Sequence, residues 1–372
     1  MTLRSAPRRI LIINPFGIGD VLFTTPVVKA IKESWPDAFI GYWSNLRVAS
    51  ILENNPRIAK VFALSRGDLK KIYHEDRPRG IRQFFQLLKD IRKERFDICL
   101  DFSLDHRYSL ISKILGIKRR AGFNYKKRGR FLTDKVDISS YQNRHVVEYY
   151  LSLLNFIGIG TRGVRLELFV SKEDAEGAAS FLEGLRISRK DYLIGIAPGA
   201  GASWGEDASL KHWPAIKFAQ LADNLINEFK AKVLLLGGKD DVQTANIMLS
   251  AMNNKVVNLV GETTLNELAA IIDRLDMLVA NDGGPLHMAV ALDKRTLSFY
   301  GPVSPQVYGP YPPDAARHTV LYKGLACSPC YNNFRLSPCQ DDKGCLEEIT
   351  IGEGLNAASR IISLINKEDK IA

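Results

Sequence analysis

The sequence predicts an α/β protein that consists of two successive parallel α/β units. Short apolar runs alternate with helical patterns along the chain, as they do in βαβ units, and the alternation starts again near Tyr192. The length agrees, because 372 residues exceed what one hydrophobic core usually organises and suit two domains.

Four apolar runs in the first half predict strands, and helical patterns lie between or after them. The strand candidates are Arg9–Asn14, Ala38–Trp43, Lys60–Leu64 and Phe96–Phe102. The helix candidates are Val27–Ser34, Leu46–Asn54, Ile81–Arg95 and His145–Gly158. We therefore predict a first domain over residues 1–170.

A second series of strands and helices begins at Tyr192 and predicts a domain over residues 192–350. Its strand candidates are Tyr192–Ala197, Lys232–Gly237, Val256–Val260, Met277–Asn281 and Thr296–Tyr300. Its helix candidates are Pro214–Phe229, Val242–Met252, Leu265–Arg274 and Pro285–Leu292. The charged stretch 171–191 is the expected linker. Residues 351–372 form an amphipathic pattern, and we expect this C-terminal helix to pack back on the first domain.

The composition is that of an ordinary globular protein, with 46% apolar and 25% charged residues. No window holds the roughly 18 apolar residues that a membrane span needs. The short apolar run near the N-terminus leads into a glycine-rich turn, which predicts a first strand and not a secretory signal. We therefore expect a cytoplasmic protein.

Basic residues are concentrated in the first half of this chain, whose net charge is +10. Seven Lys or Arg and no acid lie between Lys118 and Arg130, and a second basic region runs from Arg66 to Arg95. One interpretation is solvated loops and helix faces. The other is contact with an anionic membrane surface or an acidic substrate, for which Lys118–Arg130 is the candidate patch. A nucleic-acid partner is not expected, because no recognition motif accompanies the charge.

Five cysteines are present, and four of them form the pattern Cys327-x2-Cys330-x8-Cys339-x5-Cys345. Disulfides are not expected in a reducing cytoplasm. Four thiolates can hold a structural zinc ion, but the second pair is more widely spaced than in zinc ribbons. The sequence therefore leaves metal binding at these cysteines open, and Cys99 fits a buried strand.

The first motif, Asn14-Pro-Phe-Gly-Ile-Gly-Asp-Val21, directly follows the first strand. Glycines at a strand-to-helix turn let the backbone approach a ligand closely. Leu22 occupies the place of the third glycine of a dinucleotide fingerprint, which argues against a nicotinamide enzyme. Asp20 either caps the following helix or is a general base at the edge of the sheet.

The second motif, Pro198-Gly-Ala-Gly-Ala-Ser203, follows the first strand of the second domain. Backbone N–H groups of such small residues can bind phosphates. Lys211 comes just before a helix, where a cation is unfavourable unless an anion shares the position. It is either an exposed cation or a point charge for a bound anion.

The third motif, Asn281-Asp-Gly-Gly-Pro-Leu-His287, lies between a strand and a helix. Pro285 suits a first helical position. The amides of Gly283 and Gly284 and the helix dipole would then suit a diphosphate. His287 is either a core histidine or a ligand contact.

The fourth motif is Gly237-Gly-Lys-Asp240, which follows a buried strand. Asp240 can bind ribose hydroxyls. It can equally be a turn acid that caps the next helix, and the sequence does not decide between the two.

Taken in this order, the motifs resemble those of glycosyltransferase family 9, the ADP-heptose:lipopolysaccharide heptosyltransferases. The resemblance covers nearly the whole chain. It rests on Gly19-Asp20 with Thr25-Pro26, Pro198-Gly199 with Lys211-x-Trp213-Pro214, Gly238-x-Asp240, Asp282-x-Gly284-x-x-His287, Gly301-Pro302 and Cys327-x-Pro329-Cys330.

This resemblance implies a GT-B fold, in which two Rossmann-like domains face each other across a cleft. The N-terminal domain would bind the acceptor and the C-terminal domain the nucleotide sugar. Members invert the anomeric configuration and need neither a catalytic metal nor a cofactor. Gly283 departs from the family pattern, since many members have Thr there.

The resemblance also assigns roles to individual residues. Asp20 matches the catalytic base and Lys211 the lysine that contacts the donor phosphates. The further substrate-binding candidates are Gly19, Ser203, Asp240, Asp282, Gly283, Gly284 and His287.

The predicted function is transfer of a heptose from ADP-heptose to an inner-core acceptor of lipopolysaccharide. The expected partners are an ADP-sugar, a lipid-linked saccharide and the anionic inner face of the inner membrane, where the protein would be peripheral. One alternative is a related transferase with another nucleotide sugar and another surface glycan. Others are an NAD-dependent oxidoreductase and a non-catalytic nucleotide-sugar-binding protein.

Overall fold

Two compact units make up the chain, Met1–Phe169 and Val170–Ala372. The computed structural model describes residues 8–160, 165–188 and 191–368, except for the side chains of residues 202, 203, 206 and 366–368. Among the described residues, no helix combines the length and apolar character that crossing a membrane requires.

The first unit is a six-stranded parallel sheet with helices. Its strands are β1 (Arg9–Ile13), β2 (Phe39–Ser44), β3 (Lys60–Ala63), β4 (Ile98–Asp101), β5 (Arg119–Tyr125) and β6 (Asp134–Ile138). Its helices are α1 (Ile18–Leu22), α2 (Thr25–Ser34), α3 (Ala49–Glu53), α4 (Arg66–Glu75), α5 (Arg77–Lys93), α6 (His106–Ile114) and α7 (Val146–Ser152), with 3₁₀ turns at Leu46–Val48 and Leu153–Ile157.

The strand order of this sheet is β3-β2-β1-β4-β5-β6. The central strand β1 reads RILII, and Ile10, Leu11, Ile12 and Ile13 are fully buried. A nearly continuous apolar run of this kind is typical of a parallel strand that is covered on both faces. The order reverses between β1 and β4, as it does in Rossmann folds.

The second unit repeats this arrangement around a second sheet. Its strands are β7 (Leu193–Ala197), β8 (Lys232–Leu235), β9 (Val257–Asn258), β10 (Met277–Asn281), β11 (Arg295–Tyr300) and β12 (His318–Tyr322). Its helices are α8 (Lys172–Gly184), α9 (Ala215–Phe229), α10 (Val242–Ala251), α11 (Leu265–Arg274), α12 (Gly284–Ala291), α13 (Pro305–Tyr308), α14 (Gly344–Glu347) and α15 (Ile351–Glu368). A hairpin of β13 (Tyr331–Asn332) and β14 (Arg335–Leu336) and 3₁₀ turns at Ala202–Lys211 and Lys239–Asp241 complete the unit.

The second sheet has the order β12-β11-β10-β7-β8-β9. If β7 is counted as the first strand of this sheet, the order is the same as in the first sheet, read from the opposite edge. The strand order reverses between β7 and β10. Helix α8 occupies the stretch expected as a linker and packs on α11 within the second unit.

The C-terminal helix α15 packs on α9, β11 and β12 of the second unit. Its apolar stripe explains this position, because Ala358, Ile361 and Ile362 are buried in the core around Trp213. Trp213 also donates its indole N–H to the carbonyl oxygen of Ile349, 3.0 Å away, just before the helix. Helix α15 therefore belongs to the core of the second unit.

The basic stretch from Lys118 to Arg130 forms β5 and the turn after it. Arg119 pairs with Asp134, with 3.0 Å between Nε and Oδ2. Arg120 is buried and donates to the carbonyl oxygen of Phe131 at 2.7 Å. These two cations stabilise the sheet, and the exposed ones are Lys118, Lys126, Lys127, Arg128 and Arg130.

Candidate active site

Both units carry predicted motifs at the point where the strand order reverses. Open parallel sheets bind ligands outside the carboxyl ends of their strands at this switch point. In the first unit, Asp20 follows β1, which neighbours β4. In the second unit, the turn at Pro198 follows β7 and the turn at Asp282 follows the neighbouring strand β10. The topology therefore positions the motifs where a ligand is expected.

Asp20 is the third residue of α1 and is half-buried. The N-cap of this helix is Gly17, and no side chain makes a capping hydrogen bond there. The interpretation of Asp20 as a helix cap is therefore wrong. Asn14 holds the turn by donating its side-chain amide to the Asp20 carbonyl oxygen at 2.9 Å. Gly19 is the second residue of the helix, at its electropositive end.

Buried polar groups surround the first-unit site. Tyr42 shares a 2.6 Å hydrogen bond with Thr24, and burial together with the charge of Asp20 raises the pKa of Tyr42 far above its usual range. Asp101, at the end of β4, accepts hydrogen bonds from the N–H and hydroxyl of Ser103 at 2.9 and 2.6 Å. Burial raises the pKa of Asp101 to about 6. The sequence analysis missed Asp101, although its place at the end of a predicted strand was a usable signal.

Asp282 is the centre of a charged network in the second unit. Its Oδ2 lies 2.6 Å from Lys211 Nζ, and its Oδ1 lies 3.5 Å from His287 Nε2. The buried hydroxyl of Tyr300 donates to the carbonyl oxygen of Tyr308 at 3.1 Å, and the charge of Asp282 adds to burial in raising the pKa of Tyr300. Burial opposes ionisation of Asp282, but Lys211 and His287 outweigh it and lower its pKa to about 2. The carboxylate is therefore charged at neutral pH.

Lys211 is buried, with 8% of its surface exposed. Its Nζ also lies 4.8 Å from the ring centroid of Trp204, within cation–π distance. Asn281 fixes the segment, because it accepts from the N–H of Trp213 at 2.9 Å and donates to the carbonyl oxygen of Pro198 at 2.7 Å. The interpretation of Lys211 as an exposed cation is therefore wrong.

Helix α12 begins at Gly284, with Gly283 as its N-cap, so Pro285 is its second residue and the helix starts one residue earlier than predicted. A Cβ atom on Gly283 would lie 3.2 Å from the Cα and carbonyl oxygen of Ala200. The turns after β7 and β10 therefore approach each other closely, and a larger residue at 283 would crowd them. Free amides at this helix start suit an anion. His287 lies in the same helix and is buried against Asp282.

Two adjacent acids follow β8, and they have different surroundings. Asp240 is exposed. Asp241 is buried, and its two oxygens accept from the N–H groups of Gly201 at 3.2 Å and Gly238 at 2.9 Å. Asp241 thus ties the turn after β7 to the turn after β8, a role that the sequence analysis did not assign. The side chain of Ser203 lies outside the described part of the chain.

We expect Gly199→Ala to destabilise the second unit, because a Cβ atom there would lie 1.9 Å from Asp241 Oδ1. Asp241 is held from both sides, so it cannot move without losing the bonds that join the two turns. The expected loss is about 1–3 kcal/mol in the free energy of unfolding by urea. Gly177→Ala is the control, since no atom lies within 4 Å of its added Cβ. Equal stability of the two variants would contradict this account.

All five cysteines are unpaired thiols. Burial, and then the neighbouring thiols of Cys330, Cys327 and Cys339, raise the pKa of Cys345 to about 11. Cys99 is fully buried in β4. Among the residues that the structure describes, no group of His, Cys, Asp or Glu is arranged to hold a metal ion.

Comparison with known proteins gives one family and several related structures. The family model of glycosyltransferase family 9 (heptosyltransferase) matches residues 84–338. Lipopolysaccharide heptosyltransferase 2 of Salmonella typhimurium is 28% identical over 310 residues, which cover 81% of this chain and 85% of that protein.

Two solved structures cover nearly the whole chain. A family 9 glycosyl transferase of Veillonella parvula has a TM-score of 0.79 at 23% identity and covers 98% of this chain and 100% of its own. The ADP-heptose heptosyltransferase II of Escherichia coli has a TM-score of 0.75 at 23% identity, with 97% and 99% covered. The similarity of this chain to the two solved structures, together with its two Rossmann-like sheets, confirms the predicted GT-B fold.

Proposed function

Because the chain belongs to glycosyltransferase family 9, the heptosyltransferases, we propose that it transfers a heptose from ADP-heptose to the inner core of lipopolysaccharide. The observation that carries the proposal is the buried Lys211–Asp282 pair at the switch point of the second unit, beside the free amides of α12. The relative from Salmonella typhimurium is named a lipopolysaccharide heptosyltransferase and supports the choice of heptose and of lipopolysaccharide, and the name of the Escherichia coli structure includes ADP-heptose.

On the donor side, the proposal places the diphosphate of ADP at the start of α12. The amides of Gly283 and Gly284 and the helix dipole stabilise its charge. Lys211 adds a positive charge that Asp282 holds in place. As the bond between the anomeric carbon and the phosphate oxygen breaks, these groups stabilise the negative charge of the departing ADP.

The remaining donor contacts are assigned from the hydrogen-bond acceptor positions that are still available on the acidic side chains. A carboxylate has about four acceptor positions, and Asp282 directs two of them at Lys211 and His287. Another can accept a hydroxyl of the donor sugar. Asp240 is exposed and can bind the ribose hydroxyls, and the backbone at Ser203 continues the phosphate-binding turn.

On the acceptor side, the proposal assigns binding to the first unit and catalysis to Asp20, with Gly19 contributing a backbone contact. Asp20 takes the proton of an acceptor hydroxyl while that oxygen attacks the anomeric carbon. The attack comes from the face opposite to the ADP, so the configuration inverts. No metal takes part, because Lys211 and the helix amides supply the charge stabilisation.

The decisive measurement is mass spectrometry of the product formed from ADP-heptose and a defined inner-core lipid acceptor. We expect the mass of the acceptor to increase by one heptose. Transfer of glucose from ADP-glucose or UDP-glucose should be slower. ADP should also raise the melting temperature by binding the folded state, whereas NAD should not. Transfer only from another nucleotide sugar would favour the alternative transferase, and stabilisation by NAD alone would favour the oxidoreductase.

The proposal also includes a cytoplasmic, peripheral position at the inner face of the inner membrane. A lipid-linked acceptor is embedded in a bilayer, so an enzyme without a spanning helix in its described part has to reach it from the surface. The exposed basic residues of the first unit fit a bilayer of anionic lipids.

A further inference from the structure

Helix α5 carries an unusual surface for a helix of a globular unit. Its buried residues are Gly80, Leu87 and Ile91, which attach it to the first unit. On its outer side Phe85 is 64% exposed and Ile81 is 44% exposed. These two residues are four positions apart and therefore share one face of the helix. Large apolar side chains are thus presented to the outside next to one another.

Positive charge surrounds this apolar pair. Helix α5 contains six basic residues and one acid, Asp90. The six basic residues are all exposed, and they are Arg77, Arg79, Arg82, Lys89, Arg92 and Lys93. Asp90 is engaged by Gln86 at 2.9 Å and by Lys93 at 3.8 Å. Arg77 and Lys89 continue the line of Ile81 and Phe85 at four-residue spacing, so a basic residue stands at each end of the apolar pair.

Helix α4 extends the same surface. Gly80 lets the two helices approach closely, because a Cβ atom there would lie 3.2 Å from the Cα of Tyr73. Tyr73 is 40% exposed, and Lys70, three residues before it on the same face of the helix, is exposed as well. A phenol ring with an apolar body and a polar tip suits the boundary between water and lipid.

The structure also holds an apolar cavity of about 190 Å³ beneath these helices. Its walls include Leu69 of α4 and Phe84 and Leu87 of α5, and Arg66 and Arg107 contribute to its lining. Apolar walls beside two guanidinium groups match the two parts of an anionic lipid, its acyl chain and its headgroup.

We propose that the outer face of the α4–α5 hairpin docks on a bilayer of anionic phospholipids. Phe85, Ile81 and Tyr73 insert at the level of the headgroups, and the surrounding Arg and Lys side chains bind the lipid phosphates. The proposed function supplies only the reason for docking, which is access to a lipid-linked acceptor.

The turn after β5 is the competing basic surface of the first unit. Lys126, Lys127, Arg128 and Arg130 are exposed there. Its aromatic neighbours Tyr125 and Phe131 are buried or half-buried. This turn therefore offers charge without large exposed apolar side chains. It follows the carboxyl end of β5, on the same edge of the sheet as Asp20, and so suits anionic groups of the acceptor.

The test is sedimentation of the full-length protein with vesicles, without donor or acceptor. Wild type should bind vesicles of phosphatidylglycerol and phosphatidylcholine in equal parts and should not bind phosphatidylcholine alone. Ile81→Ser with Phe85→Ser should weaken binding about tenfold or more, because inserting one large apolar side chain contributes at least this factor. Arg82→Gln with Lys89→Gln should weaken it by about fivefold per charge at low salt.

Two controls make the result specific. Ile247→Ser removes an equally exposed apolar side chain, 47% accessible, from α10 of the second unit and should leave binding unchanged. Lys126→Gln with Lys127→Gln should reduce it less than the α5 substitutions do. The proposal is overturned if wild type does not bind anionic vesicles, or if the Ile81/Phe85 variant binds them as wild type does. It is also overturned if the two substitutions convert a dimer of this chain into monomers, because the apolar pair would then be a dimer interface.

An activity measurement separates docking from catalysis. The Ile81/Phe85 variant should transfer heptose normally to a delipidated acceptor and slowly to the same acceptor in vesicles. Absence of transfer to both acceptors by wild type would contradict the proposed function. The vesicle-binding results would still decide the docking surface.

Discussion

Asp20→Asn should lower kcat by about 10²–10⁴-fold, which is the usual contribution of a positioned general base. The amide keeps the shape of the carboxylate but cannot accept the proton of the acceptor hydroxyl. The turn should keep its hydrogen bond from Asn14 in the variant, because Asn14 donates to the backbone carbonyl of Asp20, and Asp20 makes no helix cap. Single-turnover rates with saturating donor and acceptor would measure the effect.

The matched control is Asp37→Asn, which changes an exposed acid of the same unit just before β2. It should leave kcat and the melting temperature unchanged. A kcat of the Asp20 variant within about threefold of wild type, far less than a general base contributes, would show that the base is another group. Asp101, with a pKa of about 6 at the neighbouring strand end, would then be the next residue to substitute.

The sequence predicts the fold well wherever burial requires apolar residues. Strands β1, β7 and β10 are almost entirely apolar, and their predicted bounds agree with the structure to within one residue at either end. Strands β5, β6 and β12 were not predicted. Strand β5 begins with Arg119 and Arg120, whose charges are satisfied by Asp134 and by backbone carbonyls that come close only after folding.

Strand β6, with the sequence DKVDI, is an edge strand of alternating burial. Too few of its residues are apolar to form a recognisable run. Helix α4 was missed although Ser65 and Asp68 form a capping box at its start, a signal that the sequence did contain.

The sequence predicts individual candidate residues of the site but not the contacts between them. Glycines and acids after strands can be found from sequence because the carboxyl edge of a parallel sheet is where ligands bind. Lys211 and Asp282 are far apart in the chain, so their ion pair depends on the neighbouring positions of β7 and β10. The choice between Asp240 and Asp241 depends on a 3₁₀ turn that points one of them inward.

Lys211→Met should abolish most activity and also destabilise the fold. Loss of one preorganised donor to a leaving group costs about 10²–10³-fold in kcat. The substitution also leaves Asp282 buried beside His287 and Tyr300 without its cation. Removing one partner of a buried ion pair costs about 3–5 kcal/mol in the free energy of unfolding, which urea titration at pH 7 would measure.

The pH dependence of this loss follows from the pKa of Asp282, which is about 2 in the folded chain and ordinarily 3.8. A lowered carboxyl pKa contributes stability above the unfolded value and loses it as the pH falls through the folded value. The contribution is therefore complete at pH 5 and above and fades between about pH 4 and pH 2. Titration of Asp282 should therefore leave the stability of wild type unchanged between pH 6 and pH 9, which urea titrations across that range would check.

Combining Lys211→Met with Asp282→Asn separates the structural role of the lysine from its catalytic one. The double variant has no buried charge without a partner. Its free energy of unfolding should therefore return close to that of wild type, because replacing both members of a buried ion pair is often nearly neutral. Its kcat should stay low, because the charge that faces the departing ADP is still missing. If activity returned together with stability, Lys211 would act only by neutralising Asp282. The amides of α12 would then be the main support for the leaving group.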